Sequence, residues 1–427
     1  MNIAKRVGFV RDVAPGHVQA NGPLTSVGDM CEIEGGEGPV LAEVAAVGHN
    51  RVVLIPLEQD ATIAPDARVV ARPMRAQAAV GDSFSGRAID ALADPIDHGP
   101  PILPGALMPL QGRVLAPMDR QAPDRIVETG LRAIDGLLTL GRGQRIGLFA
   151  ASGVGKTNLM TELALGIECD RCVLCLVGER GREVEALWRT ISGRADAERY
   201  KCVAATSDKS APLRARAVYQ ALALAEHWRE RGEHVLLIVD SATRFAMALR
   251  EIGLAAGAPP TLRAYTPNVF AALPRLVERC GGARAGGAIT AIMTVLAETD
   301  DVDDPITEIM KSLLDGHIVL SRHLAEQNHY PAIDVLRSIS RQSGELMTGE
   351  HKNAARRALQ LLSTYEDARV MIESGIHKPG ANARLDEAIA AREGLVRFLC
   401  QQTGERTRLG ETVAGLASTG VRRHAHA

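Results

Sequence analysis

The chain has 427 residues, 46% of them hydrophobic, with 49 Lys and Arg against 51 Asp and Glu. That is enough apolar material for two or three packed domains, and the near-neutral charge without a long basic patch argues against a nucleic-acid partner. No run reaches the roughly 18 uninterrupted apolar residues of a membrane span, and the N-terminus lacks a basic-then-apolar leader, so a cytoplasmic protein is expected.

In chain order, residues 1–73 read as short strands at 8–13, 30–34, 40–47, 52–56 and 68–71, with 34–38 as a turn. This pattern predicts a small N-terminal β-barrel. Residues 74–124 read as a connector. Pro100, Pro101, Pro104, Pro109, Pro117 and Pro123 accumulate from about 98 onward, where no regular element is expected. Residues 125–345 alternate strand and helix, with apolar strands at 144–149, 172–177, 235–240, 288–296 and 317–320. Unbroken apolar strands of this kind belong to a parallel sheet buried on both faces, so a doubly wound α/β domain is predicted.

Residues 346–427 turn helical: Ala355, Ala358, Leu362, Tyr365 and Ile372 share a face until Gly375 and Pro379, and Leu385, Ala388, Ile389, Leu395 and Leu399 form the next. No catalytic constellation is expected there, and His424 and His426 read as a frayed tail. The seven cysteines, an odd number, fit a reducing compartment. Cys169, Cys172 and Cys175 are spaced like metal ligands, but positions three apart on a strand face opposite sides, so they read as core residues. The acidic stretch 300–304 lacks a glycine-turned ligand loop and reads as solvated.

One stretch carries chemistry. Ala150-Ala151-Ser152-Gly153-Val154-Gly155-Lys156-Thr157 lies between a predicted strand and a predicted helix, the setting of a phosphate-binding loop. Helix N-terminal N–H groups would face a triphosphate, Lys156 would reach its β and γ phosphates, and the Thr157 hydroxyl would ligate Mg²⁺. Asp240 closes an apolar strand, where an acid holds Mg²⁺ directly or through water, although acids at strand ends are common. Glu179 ends another such strand, placed to orient an attacking water, with Arg180 beside it for the γ-phosphate. A solvated Glu–Arg cluster is the alternative. Arg341, taken alone, carries no role.

At these residues the chain resembles the hexameric ATPases of type III protein export, relatives of the F1 ATP synthase catalytic subunit. The matching stretches are 130–139, 141–149, 153–157, 178–184, 235–240, 315–322 and 329–336. The resemblance implies a RecA-like P-loop NTPase core between an N-terminal β-barrel and a C-terminal helical domain. It implies that Ala151, Ser152, Gly153, Val154, Gly155, Lys156 and Thr157 bind ATP, with Thr157 and Asp240 on Mg²⁺. Glu179 would be the catalytic carboxylate, Arg180 and Arg244 would lie near the γ-phosphate, Tyr330 would stack on adenine, and Arg341 would be an arginine finger for the neighbouring subunit. The implied partners are five further copies in a homohexamer, a stator-like regulator, a central stalk protein, chaperone-bound substrates and the inner-membrane export gate.

Within this family 202–203, 205–208, 248–250, 334–336 and 399–401 favour a virulence injectisome over a flagellum. A Rho-like RNA translocase lacks support because no N-terminal RNA-binding domain is evident. A non-catalytic rotary subunit is disfavoured by Lys156 and Glu179. Three departures from the family stand out. Ala151 replaces a glycine and is expected to perturb the loop. The pore segment 257–270 carries Ala258, Ala264, Thr266 and Asn268 where relatives carry Glu, Gly, Pro and Ser. The chain also begins almost directly in the barrel, leaving little room for an N-terminal arm.

Overall fold

Alternating burial along the first strands closes a six-stranded barrel in the order β1-β2-β5-β4-β3-β6. Its strands are β1 (Val7–Ala14), β2 (His17–Ala20), β3 (Met30–Glu34), β4 (Pro39–Gly48), β5 (Arg51–Pro56) and β6 (Arg68–Ala71). Inward Val10, Val18, Ile33, Val44, Leu54 and Val69 fill it, while alternate residues such as Glu43 face out. In this computed structural model the described residues are 7–58, 60–72, 77–296 and 304–419. The acidic residues 300–303 and the terminal His424 and His426 lie outside them; Asp304 caps a helix, accepting from Thr307 N–H at 3.0 Å.

The chain divides into two compact units, one of Met1–Arg120 with Asp170–Ile289 and one of Gln121–Cys169 with Thr290–Ala427. In the first unit, β7 (Gln77–Val80) and β9 (Ala106–Pro109) pair antiparallel, and β8 (Ala88–Ile89) runs parallel to a later strand. β9 thus lies within the proline-rich stretch, from about 98 onward, that was expected to lack regular structure. Pro109 is tolerated because it sits at a strand end. β10 (Arg120–Gln121) follows.

The second unit continues through β11 (Ile126–Val127), α1 (Arg132–Leu137), β12 (Leu140–Gly141), β13 (Arg145–Ala150) and α2 (Lys156–Gly166). The chain then returns to the first unit with β14 (Arg171–Val177), α3 (Gly181–Ser192), β15 (Tyr200–Ala205), α4 (Ala211–Glu230), β16 (His234–Asp240), α5 (Ala242–Ala255), α6 (Pro267–Glu278) and β17 (Gly281–Ala283). Here β16, β14, β15 and β8 lie side by side, mutually parallel, with β14 to β16 buried on both faces. Cys172, Cys175 and Cys202 are buried in these strands as free thiols.

The second unit resumes with β18 (Ala288–Leu296), α7 (Pro305–Leu313), β19 (Gly316–Val319), α8 (Arg322–Glu326), β20 (Ile339–Ser340) and α9 (Ser343–Leu346). Its strands run in the order β20-β19-β13-β18, with β13 parallel to both neighbours and β20 antiparallel at the edge. α10 (Gly349–Asp367), α11 (Arg369–Glu373), α12 (Ala383–Leu399) and α13 (Leu409–Thr419) complete it. α10 starts at Thr348, whose hydroxyl accepts from His351 N–H, and ends at Ala368, so Ile372 belongs to a separate short helix rather than to the same face as Tyr365.

Candidate nucleotide site

In the second unit β13 ends at Ala150, and the chain turns through 151–155 into α2. The turn needs left-handed backbone at two positions, Gly153 (φ 81°) and Gly155 (φ 93°), and both are glycine. Ala151 is not among the positive-φ residues, so its methyl group meets no left-handed backbone penalty. Gly155 is the N-cap of α2, and the first turn carries no acidic residue. The helix therefore turns its first N–H groups and the positive end of its dipole toward the loop, the setting that favours an anion. Lys156 opens α2 half-buried, while Ser152 and Thr157 are exposed at its mouth.

Beside the loop lies a cleft of about 670 Å³, lined among others by Val154, Gly155, Asn158, Tyr330, Gln401 and Gln402. The Tyr330 ring packs on the loop: a Cβ placed on Gly155 would stand 3.5 Å from the ring edge. Tyr330 is 43% exposed and lines the cleft, where its ring is accessible to a planar partner. The opposite wall comes from the C-terminal segment, where Cys400, Gln401, Gln402 and Thr403 line the same cleft. Gln401 donates its N–H to Tyr330 O at 2.8 Å, tying the two walls together. Sequence reasoning expected no catalytic constellation there and named none of these residues for the site. Neutral residues of this kind carry no chemical signature; only the tertiary fold brings them to the loop.

In the first unit β14 runs into Gly178-Glu179-Arg180. The Glu179 carboxylate lies 3.7 Å from Arg244 Nε, with 12% and 36% of the two side chains exposed. Arg244 stands in the first turn of α5, whose N-cap Ser241 hydroxyl accepts from Arg244 N–H at 3.2 Å. Asp240 ends β16 at 2% exposure, next to that cap. Arg180 is the N-cap of α3 and points outward, 4.0 Å from Glu183. This unit thus brings Glu179 and Arg244 close together, while Arg180 keeps an exposed pair with Glu183.

Arg341 sits elsewhere in the second unit. It follows edge strand β20, and its N–H donates to Asp315 O (3.0 Å) while Asp315 N–H donates to Arg145 O (2.9 Å). Arg341 is therefore level with the start of β13, whereas the phosphate loop follows its end. The rise from Arg145 to Ala150 is about 17 Å at roughly 3.3 Å per residue. The exposed Arg341 guanidinium donates to Lys311 O at 3.3 Å.

The divergent segment 257–270 makes a short turn at Leu262–Ala264 and enters α6 at Pro267. Arg263 and Ala264 both take positive φ, 52° and 60°, and Leu262 is 68% exposed. A glycine at 264 would hold this conformation without a penalty, and alanine does not.

A parallel α/β core with a glycine-turned loop at a helix N-terminus and an adjoining planar-ring cleft defines a P-loop nucleotide-binding protein. The profile of the ATP synthase alpha/beta family nucleotide-binding domain matches residues 130–340, and that of the T3SS EscN ATPase C-terminal domain matches residues 347–418. The chain belongs to the ATP synthase alpha/beta family, in its type III export branch, and is an ATPase of the F1-like fold. It is 43% identical to the flagellum-specific ATP synthase of Bacillus subtilis (strain 168), over 97% of this chain and 95% of that one. It is 41% identical to the type 3 secretion system ATPase of Xanthomonas euvesicatoria, over 97% and 94%. Among solved structures, the assembled ATPase EscN from the enteropathogenic E. coli type III secretion system superposes with a TM-score of 0.92 at 37% identity, covering 97% of this chain and all of that one. EscN in complex with its central stalk EscO gives 0.88 at 36%, again over 97% of this chain and all of that one. Among the described residues no helix is long and apolar enough to cross a membrane.

Proposed function

We propose that this chain hydrolyses Mg²⁺–ATP as a ring of six identical subunits and so energises type III protein export, releasing and unfolding chaperone-bound substrates at the inner-membrane export gate. The observation that carries the reading is the loop of Gly153 and Gly155 opening α2, with the Tyr330 ring on Gly155 in a cleft roomy enough for a nucleobase. Phosphates would take the α2 N-terminus and Lys156, and adenine the Tyr330 face.

The metal enters with the nucleotide. The Thr157 hydroxyl and the buried Asp240 carboxylate are hard oxygen donors of the kind Mg²⁺ takes, and among the described residues no cluster of three or more His, Cys, Asp or Glu could hold a metal unaided. That suits an ion completed by substrate phosphates, whose charge it neutralises. Glu179 then orients the attacking water and accepts its proton as the new P–O bond forms and the β–γ bridge breaks, releasing ADP. Arg244, 3.7 Å away, holds that carboxylate and is available to the γ-phosphate with Arg180.

Arg341 would complete the site of the next subunit, since it stands at the opposite end of β13 from its own phosphate loop. The stalk and regulator fit the C-terminal helices, where Val370 (77% exposed) and Ile376 (68%) leave apolar surface uncovered. We favour an injectisome over a flagellum on the segments 202–203, 334–336 and 399–401. Deleting the gene tests this: lost effector secretion with intact motility supports it, and lost motility with intact secretion makes the chain a flagellar enzyme. Mg²⁺-dependent ATP hydrolysis that survives Lys156→Ala would overturn the site itself.

A further inference from the structure

The base cleft is only half built by the nucleotide-binding core; its other wall, Cys400 to Glu405, belongs to the C-terminal helices. Two arginines hold that wall, from different sides. Arg132, at the start of α1, donates to Phe398 O (2.7 Å), Cys400 O (2.5 Å) and Glu405 (2.5 Å), capping the end of α12. Arg406 reaches the other way. Its guanidinium donates to Thr129 O (2.7 Å) and Glu162 O (2.6 Å), and pairs with the Glu162 carboxylate at 3.0 Å.

Glu162 lies on α2, two turns beyond Lys156, and its other carboxylate oxygen accepts Gly404 N–H at 3.0 Å. The fit around Arg406 is specific. A Cβ on Gly166, the last residue of α2, would overlap the guanidinium, and one on Gly130 would stand 2.6 Å from Arg406 Cδ. Gly130 is itself held by Asp135, which accepts its N–H (2.9 Å) and both donors of Thr129 (2.9 and 2.8 Å).

We propose that Arg406 is a positioning residue for the nucleobase: by pairing with Glu162 it locks the 400–405 wall to the phosphate-loop helix. Arg406 thus adds an ion pair and two backbone bonds on the α2 side to the hold that Arg132 and the Gln401–Tyr330 bond give the wall from the other. This rests on the cleft being the adenine site. It follows that loosening Arg406 weakens binding of the base without touching the phosphates or the chemical step.

The test is steady-state kinetics on full-length protein, with inorganic pyrophosphate as a base-free competitive inhibitor. Arg406→Ala should raise KM for ATP about tenfold, leave kcat within about twofold, leave the pyrophosphate inhibition constant unchanged, and narrow the kcat/KM preference for ATP over GTP. Arg406→Lys, which keeps the pair with Glu162, should recover most of the KM. Equal losses for ATP and pyrophosphate would make Arg406 a general structural support and overturn the proposal, as would unchanged KM or a loss confined to kcat. Lys156→Ala is the control: if it still binds ATP as the wild type does, the site reading fails, whereas a dead Lys156→Ala beside an unaffected Arg406→Ala overturns only the positioning role.

Discussion

Arg244 Nε stands 3.7 Å from Glu179 Oε1, and Gly178 makes that approach possible: a Cβ there would lie 2.5 Å from Arg244 Cδ. The glycine before the carboxylate thus clears a path for the arginine that steadies it. Glu179→Gln keeps the shape and removes the charge. It should cut kcat by about 10²-fold or more while ATP still binds. Stopped turnover with nucleotide retained on a desalting column is the expected outcome; loss of binding would mark Glu179 as structural.

The phosphate loop carries a second prediction. Its two left-handed positions are Gly153 and Gly155, so Gly155→Ala should lose most ATP affinity and destabilise the fold by about 1 kcal/mol or more. Ala151→Gly, at a residue without positive φ, should leave kcat/KM within about threefold, the size expected when no contact is lost. A large gain from Ala151→Gly would mean that the methyl group does obstruct the loop.

Ala264 shows the opposite case, an alanine at φ 60°. Ala264→Gly should raise stability by about 1 kcal/mol, since it removes the left-handed penalty at 264 while that at Arg263 remains. Thermal unfolding of the two proteins measures it, and a lower melting temperature for the glycine variant would contradict the assignment.

Cys400 offers a reporter for the base cleft. It is the one half-exposed thiol of seven, the others being buried, and it lines that cleft. Burial raises its pKa, so alkylation should be slow at neutral pH and faster as pH rises. Saturating ATP should slow labelling of Cys400 severalfold, read by peptide mass spectrometry. Labelling indifferent to nucleotide would remove this cleft from the site.

How much of this was legible in the sequence differs by element. The phosphate loop was, because glycine, lysine and threonine at fixed spacing between a strand and a helix have few other uses. The buried strands β14, β16 and β18 were, because a parallel strand covered on both faces reads as an apolar run. Strand β2 was missed: four residues are too few to show a period of two. The short strand β9 was hidden by neighbouring prolines, and β7 by being only four residues long. The 400–405 wall left no trace, because its contacts with Arg132 and Tyr330 join distant parts of the chain.

Outside the site, burial pushes Glu43 on β4 up to about 7 from its usual 4.5, against the pull of the Arg216 guanidinium. The folded state therefore holds this proton more tightly than the unfolded chain, a stabilisation fully present below about pH 4.5 and lost as pH rises through 7. Glu43→Gln removes the titration. Its melting temperature relative to wild type should climb between pH 5 and pH 8, and a difference independent of pH would show that the carboxylate is solvated.

The central claim is that Lys156 of one subunit and Arg341 of the next share a site. Lys156→Ala and Arg341→Ala, each inactive alone, should regain activity when mixed. In a 1:1 ring assembled at random, about a quarter of the interfaces pair an intact loop with an intact arginine, so about a quarter of wild-type ATPase activity is expected for independent sites. Mixed rings, verified by two affinity tags, that remain as inactive as their parents would contradict a shared site.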